Sequence, residues 1–163
     1  MAYVVPTTFT AGSVLTAAQM NVIGADLVDH ELYVSPLRSA WTSLTPTWTG
    51  VTIGNGSTSA RYMQTGKTVT YTGRLDIGST TSFSATLTVS SPVTMQSPNY
   101  HIGAAVIVDS GTRAYPGVIK PATSTTFNFG HNGTGNFGEV NGTNPFTLGA
   151  NDYIYWTVTF EAA

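Results

Sequence analysis

From Trp48 to the C-terminus, apolar and polar residues alternate with a period of two. The stretch 67–77 sets Val69, Tyr71, Gly73, Leu75 and Ile77 against Thr68, Thr70, Thr72, Arg74 and Asp76. Successive side chains of a strand point to opposite faces, so the first row predicts core and the second solvent. Phe83, Ala85, Leu87 and Val89 repeat the rule. The stretch 153–160 sets Ile154, Trp156, Val158 and Phe160 against Tyr153, Tyr155, Thr157 and Thr159, and so bulky an inner row predicts a central strand. Residues 48–53 and 59–64 read as hairpin-linked strands that end at Gly54-Asn55-Gly56 and Thr65-Gly66. A more continuously apolar strand at 101–108 precedes shorter ones at 115–119 and 125–129. About eight short strands with turn residues between them and no intervening helix predict an all-β fold, an antiparallel β-sandwich of jelly-roll type.

Residues 1–40 follow a different rule. Thr16 as N-cap and Gln19 as its capping-box partner start a helix over about 16–34. Met20, Ile23, Leu27, His30 and Val34 recur at helical spacing and form one narrow apolar seam, with Asp26, Asp29 and Glu31 off it. Ser35-Pro36 stops the helix, because the residue before a proline is pushed out of the α region. A seam this short is marginal alone in water, so Met20, Ile23, Leu27 and Val34 must be covered. Packing on the chain's own β-domain and docking to another chain fit the pattern equally. The expected organisation is an N-terminal segment, 1–40, and a β-sandwich domain, 45–163.

Composition narrows the partners. Of 163 residues only 9% are charged, with six Lys+Arg and net charge −2. The scattered cations form no stripe against phosphates, which argues against nucleic acid and against anionic membranes. The start, Met1 to Pro6, lacks the cationic and apolar regions of a signal peptide, so synthesis in a cytoplasm without signal-directed export is expected. With no cysteine, thiolate catalysis, Cys-ligated zinc and disulfides are excluded together. A net charge near zero favours association, a first sign of an assembly subunit.

Candidate chemistry is sparse. Residues 133–138 spell G-x-G-x-x-G, yet the flanks cannot form the helix whose N-terminus would hold a pyrophosphate. The stretch reads instead as a glycine-rich loop at 130–145, with Phe129, His131, Asn132 and Phe137 as a candidate ligand site. Asn55-Gly56-Ser57, Asn132-Gly133-Thr134 and Asn141-Gly142-Thr143 match glycosylation acceptors but read better as turns. His30, His101 and His131 sit in separate segments, so a metal site would need the fold to converge them, or three copies to bring three such histidines round an axis. Asp76, Asp109, Glu139, Asp152 and Glu161 are isolated in sequence, and hydrolysis would require some of them to converge in a pocket. No catalytic residue, cofactor or metal is assigned. Trp41 and Trp48 stand where the two segments join and read as a plug for the base of the sandwich, with stacking on sugar rings as the other use.

Two stretches carry a resemblance. Pro6-Thr7-Thr8-Phe9-Thr10-Ala11-Gly12-Ser13-Val14-Leu15-Thr16-Ala17-Ala18-Gln19-Met20-Asn21 resembles the leader of small structural proteins of tailed bacteriophages, where such a run precedes a short helix. Residues 45–56, 61–62 and 66–69, beginning Thr45-Pro46-Thr47-Trp48, are similar to the opening of β-sandwich domains in phage minor tail proteins, head fibres and capsid decoration proteins. The resemblance implies a non-enzymatic virion protein, a homotrimer with a projecting jelly roll, attached to a capsid or tail protein through residues 1–40. A host-surface carbohydrate-binding tip, gripping glycan through the 130–145 loop, is the alternative it leaves open.

Overall fold

The computed structural model describes residues 12, 14, 16–34, 41–97, 103–132 and 137–163, for some of them by backbone alone. The chain divides into two units, Met1–Ser39 and Ala40–Ala163. In the first, α1 spans Ala17–Val34, and the Thr16 carbonyl accepts the Met20 N–H to close its first turn. The second begins before residue 45, because a short strand precedes it.

Among the described residues ten strands build the second unit: β1 Thr42–Leu44, β2 Trp48–Thr52, β3 Ser57–Thr65, β4 Thr68–Asp76, β5 Ser82–Ser90, β6 Gly103–Asp109, β7 Arg113–Thr123, β8 Thr126–Asn132, β9 Phe137–Glu139 and β10 Tyr153–Glu161. Every pairing is antiparallel. They form one curled sheet in the order β1-β3-β4-β10-β6-β7-β8-β5-β2, with β9 beside β8, an all-β sandwich of jelly-roll type. The sequence pattern missed β1 and β9, which have three residues each and no room for alternation. It also ended β7 too early, at 119. Pro116 is tolerated because it stands one residue beyond the last β7–β8 pair, Gly117↔His131, and Pro121 sits at a register shift.

The expected hairpin between the strands at 48–53 and 59–64 is corrected. β2 pairs with β5, and β3 pairs with β4. The β3–β4 ladder ends at Ser57↔Asp76 and the β2–β5 ladder resumes at Thr52↔Ser82, so β2–β3 and β4–β5 are the two legs of one long ribbon bent at a corner. Asn55 fastens the corner: its N–H donates to Thr80 Oγ1 at 2.9 Å, its Oδ1 accepts the Thr80 N–H at 2.9 Å, and its amide reaches Ser79 at 3.0 Å. Asn55-Gly56 is a turn, as its chemistry predicts, but one that bends a ribbon. The β3–β4 link at Gly66, with φ +59, is the expected hairpin.

The predicted inner rows supply most of the core; on β5 the expectation is corrected, since Ala85 is exposed and Phe83 half-buried where the β2–β5 register shifts between Thr49 and Val51. Val69, Tyr71, Leu75, Leu87, Val89 and Ile154 are fully buried, and Trp156, Val158 and Phe160 nearly so. Trp156 of β10 is edge-on to Trp48, Tyr71 and Phe129 at 5.4, 5.9 and 5.5 Å, and so joins the two halves of the curled sheet. Gly73 lies beneath its indole, where a Cβ would collide with Cζ2. The plug reading holds for Trp48, whose Nε1–H donates to Thr58 Oγ1 at 3.0 Å; Trp41 instead is 40% exposed.

Two outcomes follow from this core. Gly73→Ala forces Trp156 to move and is expected to cost about 2 kcal/mol in denaturant unfolding; a loss under about 0.5 kcal/mol would show that the indole has slack. Burial raises the Tyr71 hydroxyl well above the ordinary tyrosine range. The unfolded chain therefore loses this proton above about pH 10 while the folded chain keeps it, and stability falls by about 1.4 kcal/mol per pH unit on that account. Tyr71→Phe is expected to lower stability at pH 7 by about 1 kcal/mol, since the Ser90 carbonyl loses its donor, and to remove that alkaline slope in unfolding followed from pH 9 to 12.

Candidate functional site

The outer face of the sheet holds a concavity. β1 pairs with β3 only from Thr42↔Tyr62 to Leu44↔Ala60, whereas β3 runs on to Ser57. The step between them opens a groove of about 740 Å³, lined by Ser59, Arg61, Thr72, Arg74 and their neighbours. Register explains the set: Ser59 faces Arg74 and Arg61 faces Thr72 across the β3–β4 ladder, while Arg74 faces Tyr155 on β10. Among the described residues the lining carries two guanidinium groups and no carboxylate.

Both guanidinium groups are pre-set by aromatic rings. The Arg61 guanidinium lies 4.8 Å from the Trp41 ring centre, and that of Arg74 lies 4.1 Å from the Tyr153 ring centre. Arg74 also pairs with Asp76 at 2.6 Å, and the hydrogen bond from its Nε raises its already high pKa further. Tyr153 and Tyr155 stack at 6.0 Å. Trp41 and Tyr155, 40% and 44% exposed, are the exposed large apolar side chains described in the β unit; Trp41 lies against the lining residue Arg61, and Tyr155 pairs across the ladder with the lining residue Arg74. Sequence pattern missed this site because its residues belong to four strands whose order the pattern does not contain.

The residues expected at a ligand loop are dispersed. Phe129 is fully buried and stacks on Trp48 at 5.7 Å, so its assignment to a ligand site is corrected: its alternation placed it on the core face of β8. His131 is 7% exposed, and since the Pro116 carbonyl can only accept, His131 Nδ1 donates to it at 2.8 Å. The His131 ring meets Tyr115, which stacks on Phe146. Asn132 and Phe137 pair across β8 and β9, with side chains outside the described residues, as are residues 133–136. His101 and the His30 side chain also lie outside that set. Asn141 Oδ1 accepts the N–H groups of Thr143 and Asn144 at 2.8 and 3.0 Å, which makes 141–144 a side-chain-capped turn.

The seam on α1 has Met20 at 57% and Leu27 at 65% exposure, with Ile23 half-buried. The Val34 side chain lies outside the described residues. Val22 and Val28, off the seam, are 40% and 60% exposed, so the helix presents apolar surface on more than one side. Its length and hydropathy are insufficient to cross a membrane.

The strand order brings Asp76, Asp109 and Asp152 to the same end of β4, β6 and β10. Each acid has a structural position there. Asp76 holds Arg74 and accepts Ser57 Oγ–H at 3.3 Å, and Asp109 opens the β6–β7 turn through its carbonyl. Asp152, 6% exposed, accepts the N–H of Ser110 at 2.9 Å and of Gly149 at 2.7 Å. Among the described residues no group of His, Asp and Glu is arranged to hold a metal ion. No protein-family model, curated protein or solved structure matches the chain.

Asp152→Ala removes the shared acceptor of two backbone donors on exposed turn residues, Ser110 and Gly149, and is expected to lower stability by roughly 1–2 kcal/mol in thermal or denaturant unfolding. Asp152→Asn keeps one acceptor and should cost less. Equal costs would mean that the carboxylate does not fasten these loops.

Proposed function

We propose that this chain is a non-enzymatic structural protein of a tailed-phage virion: a trimeric capsid-decoration, head-fibre or minor tail protein held to the particle by residues 1–40. The observation that carries this reading is the division of labour between the two units. The β unit has a complete core of its own, from Ala60 to Ala162. The helix carries exposed Met20, Val22, Leu27 and Val28 and has neither an acid in its first turn nor a base in its last. A helix of that kind gains its stability from a surface that covers it, and the proposed surface belongs to the particle.

Self-association is supported by the β unit's outer face beyond the groove. Ala104, Val106 and Val108 of β6 lie beside Pro116 and Val118 of β7 at half-buried or exposed positions, with no charge among them. Burial between copies would remove this uncharged surface from water.

Deleting residues 1–35 is expected to leave a folded β unit that still self-associates and is absent from purified particles, as read by circular dichroism, solution mass and particle composition. Leu27→Asp in the full chain should mimic the loss of incorporation, because it buries a charge in the docked seam. A truncated protein that unfolds would make the helix part of the core. One that still joins particles would place attachment in the β unit, and a monomeric full chain at micromolar concentration would overturn the trimer.

A further inference from the structure

We infer that the outer-face groove between β1, β3 and β4 is a binding site for an acidic oligosaccharide, with Trp41 and Tyr155 as stacking platforms and Arg61 and Arg74 as carboxylate-binding groups. The inference is independent of where the protein sits on a particle. It rests on three features that coincide.

The first is the pair of exposed rings. Large aromatic side chains are normally withdrawn from water, and the described β unit buries Trp156, Tyr71, Phe127 and Phe129. Trp41 and Tyr155 are left outside, one beside Arg61 and the other opposite Arg74, the two cations of the lining. An aromatic face in water offers a flat apolar surface to the C–H face of a sugar ring. Trp41 precedes β1 and Tyr155 lies three strands away and about four residues along, a span of roughly 20 Å at ordinary strand spacing and rise. That length suits a chain of sugars rather than a single one.

The second is the arrangement of donors. Arg61 and Arg74 each rest on an aromatic ring, which limits their rotamers before any ligand arrives. Asp76 orients Arg74 through Nε and one terminal nitrogen, which leaves the other terminal nitrogen of its planar fork to donate outward. Ser43, Ser59 and Thr45 add hydroxyl groups of exposed residues to the lining. Guanidinium and hydroxyl groups together match the carboxylates and hydroxyls of a uronate or sialate chain.

The third is what the site lacks. Among the described residues its lining holds no carboxylate, and the neighbouring Asp76 is taken up by Arg74, which disfavours a cationic ligand. Its openness disfavours a small apolar molecule, which a pocket would bury on most sides. A nucleic acid would bring a dense row of phosphates to a chain with net charge −2 and six Lys+Arg in all. An acidic polysaccharide carries its charges farther apart.

The test is titration calorimetry of the full chain at low salt with tetrasaccharides of galacturonate, mannuronate and sialate, and with neutral cellotetraose as the counterpart. At least one acidic probe should bind measurably and quench indole fluorescence, with cellotetraose at least tenfold weaker. Trp41→Ala and Arg61→Gln should each weaken binding about tenfold with unchanged thermal midpoints, since both residues are exposed. Lys120→Gln, on β7 away from the groove, should leave it unchanged. No binding of any acidic probe at millimolar concentration, equal binding of cellotetraose, or wild-type affinity in the Trp41 and Arg61 variants overturns the proposal. So does a loss of self-association in those variants without a loss of sugar binding, which would make the groove a contact between copies.

Discussion

The β unit depends on the contact between the Trp156 indole and the backbone of Gly73. Trp156 stands on a central strand and meets Trp48, Tyr71 and Phe129, rings contributed by β2, β4 and β8. Those strands lie in both halves of the curled sheet. The ring can occupy that position only because β4 carries no side chain beneath it, and any Cβ at residue 73 would push it toward Trp48 and Phe129. In an interior packed to crystal density such a displacement has nowhere to dissipate. Burying the indole N–H without a partner among the described residues costs free energy, which the aromatic contacts and the buried area offset.

The corner of the β2–β5 ribbon is the second constraint, and it decides what lies on the surface. Once Asn55 and Thr80 lock the bend, β2 and β5 fold over β3 and β4 and the inner rows of all four strands face one another. The outer rows then become continuous across β3, β4 and β10. Serine, threonine, arginine and tyrosine at alternate positions of separate strands thereby become one polar, aromatic surface. The groove exists because β1 is shorter than the strand it borders.

The low charge of the chain ties the two units to the proposed assembly role. A surface of threonine, serine and small apolar residues gains little from water compared with a charged one, so contact between copies or with a particle meets little electrostatic resistance. The charges that are present are managed locally: Arg74 is paired with Asp76, and Asp152 is consumed by two loops. Glu139 receives the buried Asn128 amide at 2.6 Å.

The inner rows were legible in the sequence because the strand period is two and burial selects for it: Val69 through Ile77, Leu87, Val89 and Ile154 through Phe160 are core residues whatever the strand order. The helix start at Thr16 was legible for the same kind of reason, since capping and periodicity are local. Neighbouring strands were not legible. Asn-Gly marks a turn but does not say whether the turn closes a hairpin or bends a ribbon, and the choice at Asn55 was made by Thr80, 25 residues away in the chain. The burial of Phe129 followed from its alternation, yet its glycine-rich neighbourhood drew it into a supposed ligand loop. The groove lined by Arg61 and Arg74 could come only from tertiary structure, because it is set by which strands lie side by side and how far each extends. Those are relations between distant residues, and the alternation along any single strand does not contain them.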